Sequence, residues 1–97
     1  VSSAAGSIGK LQEREMLGDG YRMSKTAVNM FTKCLSISYP DIISITLSPG
    51  WVRTDMGGPN APISVEESVN GIRAILERLS PEDSGTFFHY AGGVIPW

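Results

Sequence analysis

The sequence predicts an α/β fold built on a parallel sheet. Three observations lead there. A helical pattern runs from Tyr21 to about Tyr39, a β-branched run follows over 42–48, and a second helix and strand come after it. Helices and strands that alternate in this way usually build parallel strands with helices on the sheet faces. Only two strands are credible, 42–48 and 86–90. Two parallel strands leave backbone edges and apolar faces open, so the chain is expected to belong to a larger sheet.

The first twenty residues are small and polar (Ala4, Ala5, Gly6, Ser7, Gly9, Gly18, Asp19, Gly20) and read as a loop. Within them, Leu11 to Leu17 is a candidate short helical turn. In the first helix Ala27, Met30, Phe31, Cys34 and Leu35 recur at i, i+3, i+4, i+7 and i+8, one apolar stripe. That stripe suits either a core or an interface, and Cys34 on it reads as a small core residue. Pro40 ends the helix. The run Ile42-Ile43-Ser44-Ile45-Thr46-Leu47-Ser48 is expected to be a buried strand, stopped by Pro49-Gly50.

Ser64 and Glu67 have the spacing of a capping box. The helix they open carries Val65, Val69, Ile72, Leu76 and Leu79 as its apolar face, with Glu66 and Glu67 favoured at its N-terminus by the dipole. Ser80-Pro81 stops it. Thr86 to Tyr90 reads as a strand, and Gly92-Gly93 turns the chain before Val94-Ile95.

Composition narrows the function. The 97 residues are 41% hydrophobic and 19% charged, with a formal net charge of -2. That length leaves no room for a second domain, and any core is modest. Disorder is excluded by the apolar content. A basic patch for nucleic acid is missing, and so is an apolar stretch long enough for a membrane. A single Cys34 and a single His89 build neither a disulfide nor a metal site. With no visible signal peptide, they point to a reducing, cytoplasmic setting. Val1-Ser2-Ser3 reads like the end of a strand whose beginning is missing, as if the chain were cut.

The chemistry gathers at three places. Tyr21 and Lys25 stand four residues apart at the start of a helix, on one face. A fixed cation favours the phenolate form of a neighbouring phenol, which suits such a pair to passing a proton to or from an oxygen. Ser2 and Ser3 put hydroxyls at a strand's C-terminal end. Pro49 to Thr54 follows the C-terminal end of the next strand. Ligands of open α/β sheets bind at that end.

Taken together, Val1-Ser2-Ser3, Tyr21-x-x-x-Lys25 with Ser24 before the lysine, and Pro49-Gly50-x-Val52-x-Thr54 resemble the short-chain dehydrogenase/reductases. The chain looks like the C-terminal part of their Rossmann-like doubly wound parallel sheet, with the N-terminal dinucleotide-binding strands missing. Pro49 to Gly58 and the ending Ile95-Pro96-Trp97 are most similar to sniffer-like and C-factor-like carbonyl reductases. The resemblance implies that Tyr21 is the general acid/base and also contacts the cofactor, and that Lys25 binds the nicotinamide ribose and assists catalysis by favouring the phenolate of Tyr21. It implies that Ser3 binds the substrate oxygen, with Ser2 as the alternative. Pro49, Gly50, Val52 and Thr54 would bind the cofactor, the last three at the nicotinamide carboxamide, and Trp51 and Met56 would stand on the substrate side.

The same resemblance implies reduction of a small-molecule carbonyl with NADP(H) ahead of NAD(H), and a homodimer at full length. The glycine-rich pyrophosphate loop and the residue that selects the dinucleotide are absent from these 97 residues. Gly6-Ser7-Ile8-Gly9 is no substitute, since no strand-to-helix context surrounds it. The residues from Gln12 to Asp19 are candidates for a lid or substrate loop. An incomplete chain of this kind is expected to be inactive alone. The alternative is a non-catalytic fragment or binding module that associates through the Tyr21 helix.

Overall fold

The computed structural model describes residues 1–12 and 18–97. Of the turn expected over Leu11 to Leu17, residues 13–17 lie outside the described residues, as does most of the candidate lid. The elements are α1 (Asp19–Ser38), β1 (Thr46–Ser48), α2 (Val65–Arg78) and β2 (Phe87–His89), with short 3-10 turns at Ala4–Gly6 and Pro81–Asp83. β1 and β2 pair in parallel, with Thr46 opposite Phe87, Leu47 opposite Phe88 and Ser48 opposite His89. The α/β character and the parallel sheet are therefore as the sequence predicts.

Two further segments extend this pair. The Ser2 amide donates to the Leu47 carbonyl at 2.7 Å, which lays the start of the chain along β1. On the far side, Val94 bridges Phe88 in antiparallel fashion and the Ile95 amide donates to the Phe87 carbonyl at 2.7 Å. Gly92, with φ of 94°, makes the reversal. All three residues of β1 are buried. Leu47, Ile75 and Phe88 form the core, with Ile45, Ile72 and Leu79 packed on it. His89, half-buried at the end of β2, lies 4.6 Å from the Tyr90 ring. Burial, reinforced by the Lys10 ammonium, holds its imidazole below the ordinary range.

The structure corrects four of the sequence readings. First, β1 begins at Thr46 rather than Ile42. Ile42 and Ile43 are exposed, because the pairing partner supplies only a three-residue register. β2 likewise spans 87–89 rather than 86–90.

Second, the face of α2 turned inward runs through Ser68 and Ile75 with Ile72 and Leu79 beside them, while Val65, Val69 and Leu76 face out. Ser64 caps α2 by accepting from the Glu67 amide at 3.0 Å. The Glu67 carboxylate does not close the box; it accepts from the Tyr90 hydroxyl at 3.5 Å.

Third, the apolar stripe of α1 does not face the core. Met30 and Phe31 are 65% and 63% exposed, and Cys34 is exposed rather than a core residue. The buried residues of α1 are Asn29 and Thr32. α1 docks on the 1–7 segment with the face that carries Thr26 and Asn29, whose side chains bond the Gly6 carbonyl, and this leaves Met30 and Phe31 turned outward. Fourth, the opening loop contains a 3-10 turn, and Asp19 and Gly20 already belong to α1. Among the described residues, no helix is long and apolar enough to cross a membrane.

Candidate active site

The segment 1–7 is wedged between β1 and α1, and this wedge builds the site. On one side the Ser2 amide binds β1, and the Ala4 amide donates to the Ser48 hydroxyl at 3.0 Å. On the other side the Ser2 hydroxyl donates to the Lys25 carbonyl at 3.1 Å. Thr26 Oγ1 and Asn29 Nδ2 both donate to the Gly6 carbonyl, at 2.9 and 3.1 Å. The backbones meet because Gly6 carries no side chain. A Cβ there would lie 2.7 Å from the Lys25 carbonyl carbon and 2.9 Å from the Thr26 nitrogen.

This wedge separates the roles of the two serines. Ser2 is buried and its hydroxyl is committed to the Lys25 carbonyl. Ser3 is half-buried, and its hydroxyl oxygen accepts from the Ala5 amide at 3.2 Å. That bond occupies a lone pair and leaves the hydroxyl proton to donate elsewhere. Tyr21 and Lys25 share the adjoining face of α1, both half-buried, with Nζ 5.7 Å from the ring centroid. Ser24 is turned outward and its hydroxyl donates to the Tyr21 carbonyl at 2.7 Å.

The loop after β1 is held from beneath. Gly50 sits at φ of 82°, and a Cβ there would lie 2.5 Å from Ile63 and 2.8 Å from the Tyr90 ring. The Pro49 carbonyl accepts from the hydroxyl of Ser68, a buried residue of α2, at 2.7 Å. Val52 bridges Ile63, with the Arg53 amide donating to the Ile63 carbonyl at 2.8 Å and the Ile63 amide to the Trp51 carbonyl at 3.4 Å. Parallel pairing uses the groups on either side of Val52 and leaves its own amide unbonded among the described residues.

Thr54 Oγ1 accepts from the Gly57 amide at 3.1 Å. Trp51 Nε1 donates to the Gly57 carbonyl at 2.8 Å. Trp51 and Met56 are otherwise exposed. Ser48 joins the two halves, since its hydroxyl binds the Ala4 amide and the chain passes directly from it into Pro49-Gly50.

Ser68 and Tyr90 were not singled out as site residues by the sequence. The signal for Ser68 was available: it is a hydroxyl in helical register with Ile72, Ile75 and Leu79. Tyr90 had no such signal, because its contact with Gly50 joins the end of one strand to the loop after another. Among the described residues, no three His, Cys, Asp or Glu side chains cluster as metal ligands.

No family model matches the chain. C-signal of Myxococcus xanthus is 46% identical over 79 residues, which cover 79% of this chain and 48% of that protein. Carbonyl reductase Sniffer of D. melanogaster superposes with a TM-score of 0.90 at 41% identity, over 99% of this chain and 39% of that one. The NADPH-bound carbonyl reductase from chicken fatty liver gives 0.89 at 44% identity, over 99% of this chain and 40% of that one. The relatives and structural neighbours are short-chain dehydrogenase/reductases. The chain shares the Rossmann-type architecture of these short-chain dehydrogenase/reductases over almost its whole length. It spans less than half the length of the curated relatives it matches.

Proposed function

We propose that residues 1–97 form the C-terminal, catalytic and substrate-side part of an NADP(H)-dependent short-chain carbonyl reductase. The observation that carries this reading is the wedge. The segment that carries Ser3 is bonded on one side to β1 and on the other to α1, the helix that carries Tyr21 and Lys25, with Ser2 bonded to the Lys25 carbonyl. NADP(H) is favoured because similar carbonyl reductases were crystallised with NADPH or NADP.

The residues present fit such a dinucleotide. Lys25 would hold the nicotinamide ribose and keep a positive charge beside Tyr21. The unbonded Val52 amide, with Pro49, Gly50 and Thr54, would hold the carboxamide. When bound, the reduced dinucleotide supplies the hydride. Tyr21 gives its hydroxyl proton to the carbonyl oxygen as negative charge grows there, so that the ketone or aldehyde becomes an alcohol. Ser3 donates its remaining hydroxyl proton to the same oxygen and stabilises that charge. Trp51 and Met56 stand on the substrate side. The cellular setting that fits a lone exposed thiol and this chemistry is the cytoplasm.

The test is NADPH consumption, followed by absorbance, over a panel of aldehydes, quinones and ketones. The complete enzyme is expected to reduce members of the panel, and the 97-residue chain alone is expected to reduce none. A complete enzyme that binds NADPH but reduces no carbonyl overturns the proposal. Within it, Ser68→Ala leaves the half-buried Pro49 carbonyl without the donor it has in the buried Ser68 hydroxyl. This variant is expected to lose about 1–3 kcal/mol of stability in thermal unfolding. It should also bind NADPH several-fold more weakly in a fluorescence titration.

The exposed stripe of α1 favours a second reading. Met30, Phe31 and Ile37 offer an apolar face that suits a second chain. In the complete protein this is a homodimer contact. In an isolated fragment it is a binding surface with no catalysis. Co-purification of the fragment with the complete protein, without dinucleotide binding of its own, would select the non-catalytic reading.

A further inference from the structure

The segment Ile95–Trp97 binds the stretch of backbone that follows the Ser3 turn. The hydroxyl of Ser7, a buried residue, donates to the Pro96 carbonyl. The Gly9 amide donates to the Trp97 carbonyl at 2.8 Å. A Cβ on Gly9 would lie 3.2 Å from Pro96 Cβ and 3.4 Å from the Trp97 carbonyl oxygen, so the two segments are in close contact. The same Ser7 hydroxyl accepts from the Lys10 amide at 3.3 Å and closes the turn that follows.

The other side of this latch is rigid. The Trp97 ring stacks on Phe87, with centroids 5.5 Å apart and planes inclined by 24°. Phe87 is 1% exposed and pairs with Thr46 in the sheet. Ile95 is buried and its amide is bonded to the Phe87 carbonyl. Ser3 opens the short turn Ala4–Gly6, whose last residue is fixed to α1 and whose exit, Ser7 to Lys10, is fixed to residues 96 and 97.

We infer that Pro96 and Trp97 are positioning residues for the Ser3 turn, holding its exit against the sheet so that the Ser3 hydroxyl stays aimed at the substrate oxygen. This rests on the role proposed above for Ser3. The dinucleotide would be held by Lys25 and the Pro49–Thr54 loop, none of which touches the latch. Loosening it therefore acts on the carbonyl side alone.

The experiment is Trp97→Ala in the complete enzyme, with Trp97→Phe as the conservative variant. Trp97→Ala is expected to raise the carbonyl KM about tenfold, because a small displacement of a positioning group has large kinetic effects. NADPH affinity stays unchanged. Tryptic cleavage after Lys10, read by mass spectrometry, should accelerate. Trp97→Phe keeps a ring on Phe87 and should restore both readouts. A merely structural role would lower the active fraction and leave both KM values as they were.

Should Trp97→Ala fail to fold, Gly9→Ala presses on the latch from the opposite side and is expected to raise the carbonyl KM about two- to threefold. Unchanged carbonyl KM together with unchanged cleavage after Lys10 overturns the inference. If the wild-type enzyme reduces no carbonyl, the proposed function fails by itself. Cleavage then decides the latch: faster cutting in Trp97→Ala supports it and equal cutting overturns it.

Discussion

Tyr21→Phe in the complete enzyme is expected to lower kcat for carbonyl reduction by about 10²–10⁴-fold, the usual worth of a positioned general acid. NADPH affinity should be nearly unchanged. The substitution removes one oxygen and keeps the ring that lies 5.7 Å from Lys25 Nζ, so α1 and its face are left as they were. Stopped-flow kinetics with saturating NADPH separates the two quantities. A Tyr21→Phe enzyme that keeps its turnover would mean that the proton comes from another group, and the role given to this side chain would fall.

Gly6→Ala should have the second largest effect, through a different route. The methyl group would stand 2.7 Å from the carbonyl carbon of Lys25 and 2.9 Å from the nitrogen of Thr26. These are backbone atoms inside a helix and cannot swing aside as a flexible side chain would. Relief must come from moving the 1–7 segment off α1. That weakens the bonds from Thr26 and Asn29 to the Gly6 carbonyl and from Ser2 to the Lys25 carbonyl. Overpacking of this kind costs about 1–3 kcal/mol. Because the same movement shifts the segment that carries Ser3 relative to α1, carbonyl reduction under the proposed function should fall at least about tenfold even in the fraction that remains folded. Chemical denaturation and kinetics on the same preparation test both statements. Equal stability and equal turnover would show that the close approach of these backbones has no bearing on the site.

Most of what local geometry governs could be read from the chain. The Tyr21–Lys25 spacing puts two side chains on one helical face whatever surrounds them. Pro40, Ser64 and Gly92 marked element ends because their backbone and capping preferences act over a few residues. The order helix, strand, helix, strand followed from these signals, and with it the parallel pair β1–β2. The extent of the strands was not legible. Ile42 and Ile43 have the composition of a strand but no partner at their level, and pairing is a property of two segments.

The face of α1 that turns inward was also beyond reach. An apolar stripe shows which side of a helix avoids water, and only the rest of the molecule shows what covers it. Here Asn29 and Thr32 are buried and Phe31 is not: Asn29, with Thr26, donates to the Gly6 carbonyl, so the helix docks on its polar side.

By itself, then, the amino-acid order determined the element types, the pairing of a phenol with an ammonium on one face, and the glycine and proline positions that turn the chain. Those are short-range consequences of backbone sterics and helical pitch. The tertiary structure alone decided that Ser2 supports while Ser3 stays free to donate, that Ser68 carries the Pro49 carbonyl, and that Trp97 reaches the turn after Ser3. Each of these joins residues far apart along the chain, and hydrogen bonds across such distances leave no periodicity in a sequence from which to read them.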